Sequence, residues 1–207
     1  MKSPVFVGIA GGTASGKTTV CHTIKEALGV ECTVVAMDAF YKGIPEDQLH
    51  LVHEYNFDHP NALDHDEIYS VVNKLLNWED AEMPVYDFKT HKRLEETQNL
   101  PAANFVILEG IYALYEKRMR DLMSLKIFVQ TDDDIRLGRR MLRDRQERGR
   151  DIEGILNQYF KFVKPSYDEY IKPTMKKADI IVPHGAKNQV AIDLIVMNLR
   201  HYLQSQD

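Results

Sequence analysis

An eight-residue glycine-rich motif is the feature of this sequence that most constrains its fold. Residues 11–18 read Gly-Gly-Thr-Ala-Ser-Gly-Lys-Thr, which matches the pattern G-x-x-x-x-G-K-[ST] without a mismatch. The apolar run Val5–Ala10 precedes the motif and is typical of a buried strand. After the motif, Val20, Ile24 and Leu28 recur at helical spacing. A strand, a glycine-rich loop and a helix in this order predict a phosphate-binding P-loop.

The chemistry of this loop predicts that the chain binds a nucleoside triphosphate. Glycines allow backbone angles at which peptide N–H groups converge on phosphate oxygens, and the positive end of the following helix adds to the attraction. Lys17 is expected to reach the β and γ phosphates, and the Thr18 hydroxyl to bind Mg²⁺. The predicted nucleotide contacts are Gly11, Gly12, Thr13, Ala14, Ser15, Gly16, Lys17, Thr18 and Thr19.

Strand-like runs alternate with helical patterns along the chain. The predicted strands are Val5–Ala10, Thr33–Met37, Phe105–Leu108, Lys126–Val129 and Asp179–Val182, and the predicted helices lie near 17–28, 64–77, 115–122, 133–147, 152–163 and 188–203. Such alternation is typical of an α/β fold with right-handed crossovers. We predict a P-loop NTPase fold, a single domain over residues 1–207, with a five-stranded parallel sheet covered by helices on both faces.

One segment, residues 83–96, interrupts the alternation. Pro84 argues against a helix here. Val85, Tyr86 and Phe88 favour strands. Because ligands of parallel sheets bind beyond the carboxyl ends of the strands, we predict a β-hairpin excursion that forms a wall over that edge.

Composition and charge exclude several classes of protein. The 26 basic and 31 acidic side chains give a net charge of −5, so we expect no general basic surface for a nucleic-acid polymer. No apolar run approaches the length of a membrane span. Cys21 and Cys32 indicate no disulfide framework, and the first strand begins at Val5 without room for a signal peptide. We predict a cytoplasmic protein that binds neither nucleic-acid polymer nor membrane.

Two carboxylates follow predicted strands at the edge where the ligand is expected. Asp38 comes after Thr33–Met37, and Glu109 after Phe105–Leu108. Beside a P-loop, such groups can serve Mg²⁺ or accept a proton from an attacking hydroxyl. Either acid alone could also be a helix cap or a surface group, but the pair beside a P-loop favours a catalytic site.

A dense basic run follows the fourth strand and comprises Arg136, Arg139, Arg140, Arg143, Arg145, Arg148 and Arg150. Arginines stabilise charge on transferring phosphoryl oxygens in a site poor in water. The segment from about 136 to 165 is therefore predicted to be an Arg-rich helical lid that closes over the triphosphate. The alternative is a solvated helix whose arginines pair with nearby acids, namely Asp133, Asp134, Asp144 and Glu147.

In combination, these segments resemble the uridine-cytidine kinase family. The likeness covers nearly the whole chain, in order, through Gly11–Thr18, Asp38–Tyr41, Asn56–Pro60, Pro84–Phe88, Glu109–Ile111, Glu147–Asp151, Gln158–Tyr159, Val163–Pro165 and Ala178–Pro183. The P-loop is shared by many families. Asn56–Pro60, and Val85–Phe88 with His91, are much more specific.

The resemblance implies Mg²⁺-dependent transfer of the γ-phosphoryl group of ATP or GTP to the 5′-hydroxyl of uridine or cytidine, giving UMP and CMP in pyrimidine salvage. It implies that Asp38 is the catalytic base, acting with Lys17, and that Thr18 and Glu109 serve the metal. It assigns donor phosphates to Arg143 and Arg148, and the nucleoside to Phe57, Asp58, Tyr86, Phe88, His91, Ile111, Arg140, Arg150 and Gln158. A homotetramer and feedback inhibition by CTP or UTP are further implications.

Two positions depart from the family pattern. His184 stands where arginine is common, in a loop expected near the donor base, and Tyr112 stands where an aliphatic residue is usual, with an effect expected on packing alone. Another P-loop small-molecule kinase, phosphoribulokinase-like or pantothenate-kinase-like, is one alternative function, and a nucleotide-dependent switch is another. Asp58 with Tyr86 and His91 argues against the first. No guanine-reading Asn-Lys-x-Asp motif supports the second.

Overall fold

The computed structural model describes residues 3–44, 47, 52 and 54–204. Its strands are β1 (Val5–Gly11), β2 (Cys32–Ala36), β3 (Ala81–Asp87), β4 (Lys92–Leu100), β5 (Phe105–Glu109), β6 (Leu125–Gln130) and β7 (Ile180–Pro183). Five of them form one sheet in the order β2-β5-β1-β6-β7, and every neighbouring pair is parallel. The predicted parallel sheet is confirmed, and the bounds of each strand differ from prediction by one residue at most.

The helices are α1 (Lys17–Leu28), α2 (His65–Leu76), α3 (Lys117–Arg120), α4 (Asp133–Arg148), α5 (Ile152–Gln158), α6 (Lys164–Ser166) and α7 (Gln189–Gln204). The helix predicted near 115–122 is shorter than expected. Arg120 donates hydrogen bonds from Nη1 to the carbonyls of Leu114 at 2.9 Å and Tyr115 at 2.5 Å, which stabilise a turn ahead of α3 instead.

The helix predicted at 152–163 continues beyond its expected end with altered geometry. Two π-helical turns, Tyr159–Val163 and Tyr167–Ile171, flank α6. Pro165 lies between them and has no N–H to donate to a regular helical ladder. Wider turns of this kind are frequent at functional sites.

The sheet carries an apolar core on each of its faces. Val106 and Leu108 of β5 lie in the core that α2 completes, whereas Phe105 and Ile107 lie in the core that α1 and α7 complete. All four side chains are fully buried. Because successive side chains of a strand point to opposite faces, a strand that is apolar at every position is covered on both sides. This confirms the predicted doubly covered sheet.

The predicted excursion is an antiparallel hairpin of β3 and β4 with longer arms than expected. Its register shifts between Pro84 and Tyr86, where the proline lacks a donor for the ladder. Arg93 fastens the hairpin to the sheet edge: its guanidinium donates to the carbonyls of Tyr41 at 2.7 Å and Phe40 at 3.0 Å. The hairpin therefore stands beside the carboxyl ends of the parallel strands.

Two expectations from composition bear on the described residues. Cys21 and Cys32 are both unpaired and buried. Within the described ranges, no helix combines the length and the apolar character needed to cross a bilayer.

Candidate active site

A cavity of about 470 Å³ opens at the carboxyl ends of the parallel strands. Its lining comes from the P-loop, the turn after β2, the loop at Phe57–Asp58, the hairpin, the turn after β5, helix α4, residues 150 and 158 beyond it, and residues 184–187. Every residue predicted for the site lines this cavity except Gly11 and Gly12. The fold thus gathers side chains that are far apart along the sequence.

Glycine allows the P-loop to turn sharply and to lie close to its neighbours. Gly16, the residue before α1, has a left-handed φ of 94°. A Cβ atom at Gly11 would lie 2.5 Å from the carbonyl oxygen of Val129, and one at Gly12 would lie 2.8 Å from Cζ of Arg136. Gly11 and Gly12, predicted as nucleotide contacts, do not line the cavity, and the lack of a side chain at both positions permits close packing around the loop.

Lys17 is held at the mouth of the P-loop. Its ammonium group donates to the carbonyl of Gly12 at 3.2 Å and lies 3.9 Å from Oε1 of Glu109. Burial lowers the pKa of Lys17, and the Glu109 carboxylate opposes that shift. Ser15 Oγ, in the same loop, is buried and has no hydrogen-bond partner among the described residues. The loop offers a cation and an unused hydroxyl to a phosphate.

Thr18, Glu109 and Asp38 give this end of the cavity an oxygen-rich ligand set. The Thr18 hydroxyl donates to Oε2 of Glu109 at 3.2 Å. Burial raises the pKa of Glu109, and the Lys17 ammonium opposes the rise. Asp38 lies in the turn Met37–Phe40 after β2 and is exposed to the cavity. A hydroxyl and a carboxylate fit Mg²⁺, which keeps several waters and shares phosphate oxygens.

Aromatic rings form the other end of the cavity. Phe57 and His91 stack at 4.9 Å between centroids, and Tyr86 packs edge-on against Phe88 at 5.1 Å. Tyr86 Oη is buried and without a hydrogen-bond partner in the described part of the chain, and burial raises the pKa of this tyrosine to about 12. Tyr41 completes the group, 5.3 Å from Tyr86. A flat ring with polar edges fits between such faces.

Asp58 lies between the aromatic end and the arginines of α4. Its backbone N–H donates to Oδ1 of Asn56 at 3.0 Å, and its carbonyl accepts a hydrogen bond from Tyr112. Burial raises the pKa of Asp58, and Arg140 opposes the rise. The carboxylate lines the cavity, where it can accept hydrogen bonds from a polyhydroxyl ligand.

Asp144 organises the basic run. Its side chain is fully buried and forms ion pairs with four arginines. The nitrogen-to-oxygen distances are 2.8 Å for Arg143, 3.4 Å for Arg148, and 3.5 Å for Arg140 and Arg150. Burial alone would raise the pKa of Asp144, but the guanidiniums of Arg140, Arg148 and Arg143 outweigh it and hold the pKa below its usual value. The alternative expectation that arginines of the run pair with Asp144 is therefore correct, but these pairs lie in the wall of the cavity and not on a solvated helix face.

The seven arginines of the basic run lie in three different environments. The arginines that line the cavity are Arg139, Arg140, Arg143, Arg148 and Arg150. Arg136 is instead buried beneath the P-loop, with its guanidinium 4.0 Å from the ring centre of Tyr167 and its Nε donating to the carbonyl of Thr131 at 3.1 Å. Arg145 is exposed. Arg136 therefore supports the loop from behind.

Several lining residues were missed by the sequence analysis. Arg139 belongs to the basic run but was not assigned a ligand, and Tyr41 directly follows the segment that carries Asp38. Gly185 lines the cavity without a signal in the sequence, whereas its neighbour His184, with a left-handed φ of 65°, lines it in the loop that was expected near the donor base. The expectation that Tyr112 affects packing alone was wrong, because its hydroxyl bonds the backbone of Asp58. Neither spacing nor composition signals that contact.

The sequence of this chain is similar to those of several kinases. The sequence profile of the "Phosphoribulokinase / Uridine kinase family" matches residues 6–191. "Uridine kinase-like protein 5" of Arabidopsis thaliana is 51% identical over 97% of this chain and 43% of its own length. "Uridine-cytidine kinase B" of Dictyostelium discoideum is 46% identical over the whole chain and 85% of its own length. "Uridine kinase" of Lactobacillus johnsonii is 46% identical over 99% of this chain and 98% of its own.

The chain thus spans less than half the length of some relatives and nearly all of others. Solved structures share the fold at low identity. Phosphoribulokinase from Rhodobacter spheroides superposes with a TM-score of 0.68 at 16% identity, over 88% of this chain and 70% of its own. A putative fructose transport system kinase from Silicibacter gives 0.70 at 17% identity, over 88% and 91%. These likenesses confirm the predicted P-loop fold.

Proposed function

Because the chain belongs to the phosphoribulokinase / uridine kinase family, we propose that it transfers the γ-phosphoryl group of ATP or GTP to the 5′-hydroxyl of uridine or cytidine. The observation that best supports this function is that one cavity has a P-loop at one end and aromatic rings beside Asp58 at the other. The names of relatives such as "Uridine-cytidine kinase B" agree with this substrate class. A second P-loop kinase chemistry is less favoured, since those relatives match almost the whole chain.

The donor half of the reaction rests on the P-loop. The backbone N–H groups of Thr13–Thr19 bind the β and γ phosphates, and Lys17 within this range adds its positive charge. Thr18 and Glu109 would hold Mg²⁺, whose charge offsets that of the phosphates. Arg143 and Arg148 act from α4 on the donor phosphates. The Arg148 guanidinium also lies 4.4 Å from the ring centre of Phe88, so this lid residue spans both halves of the cavity.

The acceptor half rests on Asp38 and Asp58. As the nucleoside 5′-oxygen bonds to the γ-phosphorus, the bond to the leaving nucleoside diphosphate breaks, and Asp38 accepts the hydroxyl proton. Asp58 accepts hydrogen bonds from both ribose hydroxyls, aided by Arg140, Arg150 and Gln158. Tyr86 and His91 meet the polar edge of the pyrimidine, between the apolar walls Phe57, Phe88 and Ile111.

Further parts of the proposal rest on sequence patterns. They are a single kinase domain over 1–207, a closing lid near 136–165 and a cytoplasmic location. A homotetrameric assembly and feedback by CTP or UTP at the same site rest on the family resemblance. The cavity's own charge favours an anionic triphosphate, since five arginines line it.

A coupled assay of ADP or GDP release tests the function. The acceptors are uridine, cytidine, ribulose 5-phosphate and pantothenate, each with ATP and with GTP, and with and without CTP. We expect release that depends on uridine or cytidine, and none with the other two acceptors. Lys17→Met is the matched inactive control. No turnover with either pyrimidine nucleoside would refute the proposal, and equal hydrolysis without any acceptor would favour a switch.

A further inference from the structure

Tyr112 is a buried side chain that the reaction outlined above does not use. It is 1% exposed and lies in the turn after β5, three residues beyond Glu109. We propose that Tyr112 is a positioning residue for Asp58, and that through Asp58 it sets the preference for ribonucleosides over 2′-deoxyribonucleosides. This inference rests on the proposed nucleoside kinase activity.

The hydrogen bonds around Asp58 carry the first step. The Tyr112 hydroxyl donates to the carbonyl oxygen of Asp58, while the Asp58 N–H donates to Oδ1 of Asn56 at 3.0 Å. Asn56 is itself tied down, because its Nδ2 donates to Oγ of Ser166 at 3.3 Å. Both polar backbone groups of Asp58 are therefore held. The N–H is held by Asn56, which α6 anchors, and the carbonyl is held by Tyr112 in the turn after β5.

The rigidity of Tyr112 carries the second step. Its ring lies against Tyr115, with 5.3 Å between centroids, and against His65, at 6.3 Å. The turn that carries it is bound to the central sheet, since the N–H of Gly110 donates to the carbonyl of Ile9 at 3.1 Å. The position of the Tyr112 hydroxyl is therefore set by the packing of the core. Its hydrogen bond connects the loop that bears Asp58 to the end of the sheet that bears Glu109.

The geometry of ribose recognition carries the third step. A carboxylate bonds two vicinal hydroxyls together only when its orientation is fixed, and a ligand that lacks one hydroxyl leaves a buried acceptor unmatched. If the loop is loosened, Asp58 can turn to the remaining hydroxyl or to water. The penalty against the deoxy ligand then falls, while binding of the ribonucleoside weakens.

The test compares kcat/KM for uridine and 2′-deoxyuridine in the wild-type protein, Tyr112→Phe and the control Tyr115→Phe. Tyr115 shares the aromatic cluster but is 37% exposed, and among the described residues it is Tyr112 whose hydroxyl bonds Asp58. For Tyr112→Phe we expect the uridine preference to fall about tenfold, chiefly through KM for uridine, because misplacing a binding group by about 1 Å costs up to about 10²-fold. KM for the donor nucleotide should stay unchanged in Tyr112→Phe. In Tyr115→Phe, both that KM and the uridine-to-deoxyuridine ratio of kcat/KM should stay unchanged.

A double-mutant cycle with Asp58→Asn separates positioning from a general structural role. If Tyr112 acts through Asp58, Tyr112→Phe causes no further loss of selectivity in the Asp58→Asn background. Tyr112→Leu, which also lacks the hydroxyl, should repeat the result and serves if the phenylalanine variant folds poorly. Normal uridine turnover with an unchanged uridine-to-deoxyuridine ratio would overturn the inference alone. Absence of nucleoside turnover in the wild-type protein would overturn the proposed function as well.

Discussion

The substitution Asp144→Asn tests whether one buried carboxylate holds the arginines of the cavity wall in place. Asp144 is fully buried and lies within 3.5 Å of four guanidiniums. Removing one partner of a buried ion pair costs about 3–5 kcal/mol of unfolding free energy, because the other charge is left uncompensated. Three of these arginine side chains retain 17–31% exposure, so water offsets part of that cost.

We therefore expect a loss near the lower bound, about 3 kcal/mol. At about 2–4 °C per kcal/mol for a domain of this size, the midpoint of thermal unfolding should fall by about 6–12 °C. Circular dichroism and urea denaturation measure it, with Glu147→Gln on the same helix as the control, since Glu147 is exposed. Inorganic phosphate should raise the midpoint of Asp144→Asn more than that of the wild-type protein, because its guanidiniums are unpaired.

The pH dependence has a definite sign. The folded-state pKa of Asp144 lies below its unfolded value of about 3.9. Its stabilisation is therefore present above that pH and is lost as the pH falls through the folded-state pKa. A midpoint for Asp144→Asn within 2 °C of the Glu147→Gln control at pH 7 would refute the reasoning, since about 1 kcal/mol or less would then be at stake.

Three other changes have outcomes that the geometry defines. Asp38→Asn should keep nucleoside binding but lower kcat by about 10²–10⁴-fold, and near-normal turnover would remove Asp38 from the role of base. Asp58→Asn should raise the thermal midpoint at neutral pH while it lowers kcat/KM for uridine. The folded-state pKa of Asp58 lies above the unfolded value, so ionised Asp58 destabilises the fold increasingly as pH rises between the two. A lower midpoint would contradict that sign. Gly12→Ala should destabilise the fold by about 1–3 kcal/mol, because the added Cβ would overlap the Arg136 guanidinium. Gly138→Ala, at a position in α4 with open space around it, should stabilise the fold by about 0.8–1 kcal/mol. Equal effects of the two changes in calorimetry would show that the close packing behind the P-loop is unimportant.

Local patterns were sufficient for the strands of the parallel sheet, for most of the helices and for the phosphate-binding end of the candidate site. The first four residues of β5, 105–108, are all apolar, and the spacing of Val20, Ile24 and Leu28 specifies the buried face of α1. These signals depend on residues a few positions apart, so single-sequence periodicity captures them. The P-loop and the carboxylates after β2 and β5 could be located in the same way, because parallel strands present their carboxyl ends to one edge.

Contacts between distant segments could not be predicted. The sequence alone determined that a phosphate loop, two strand-end acids and a basic helix occur in one α/β chain. Only the tertiary structure decided that Arg136 lies behind the loop, that Asp144 is the buried partner of four other arginines, and that Tyr112 donates to the carbonyl of Asp58. Helical spacing tells which side chains share a face, but the partner of that face is set by how the layers pack. The glycine-rich motif therefore identified a phosphate site, and packing placed a candidate acceptor pocket beside it through residues from the rest of the chain.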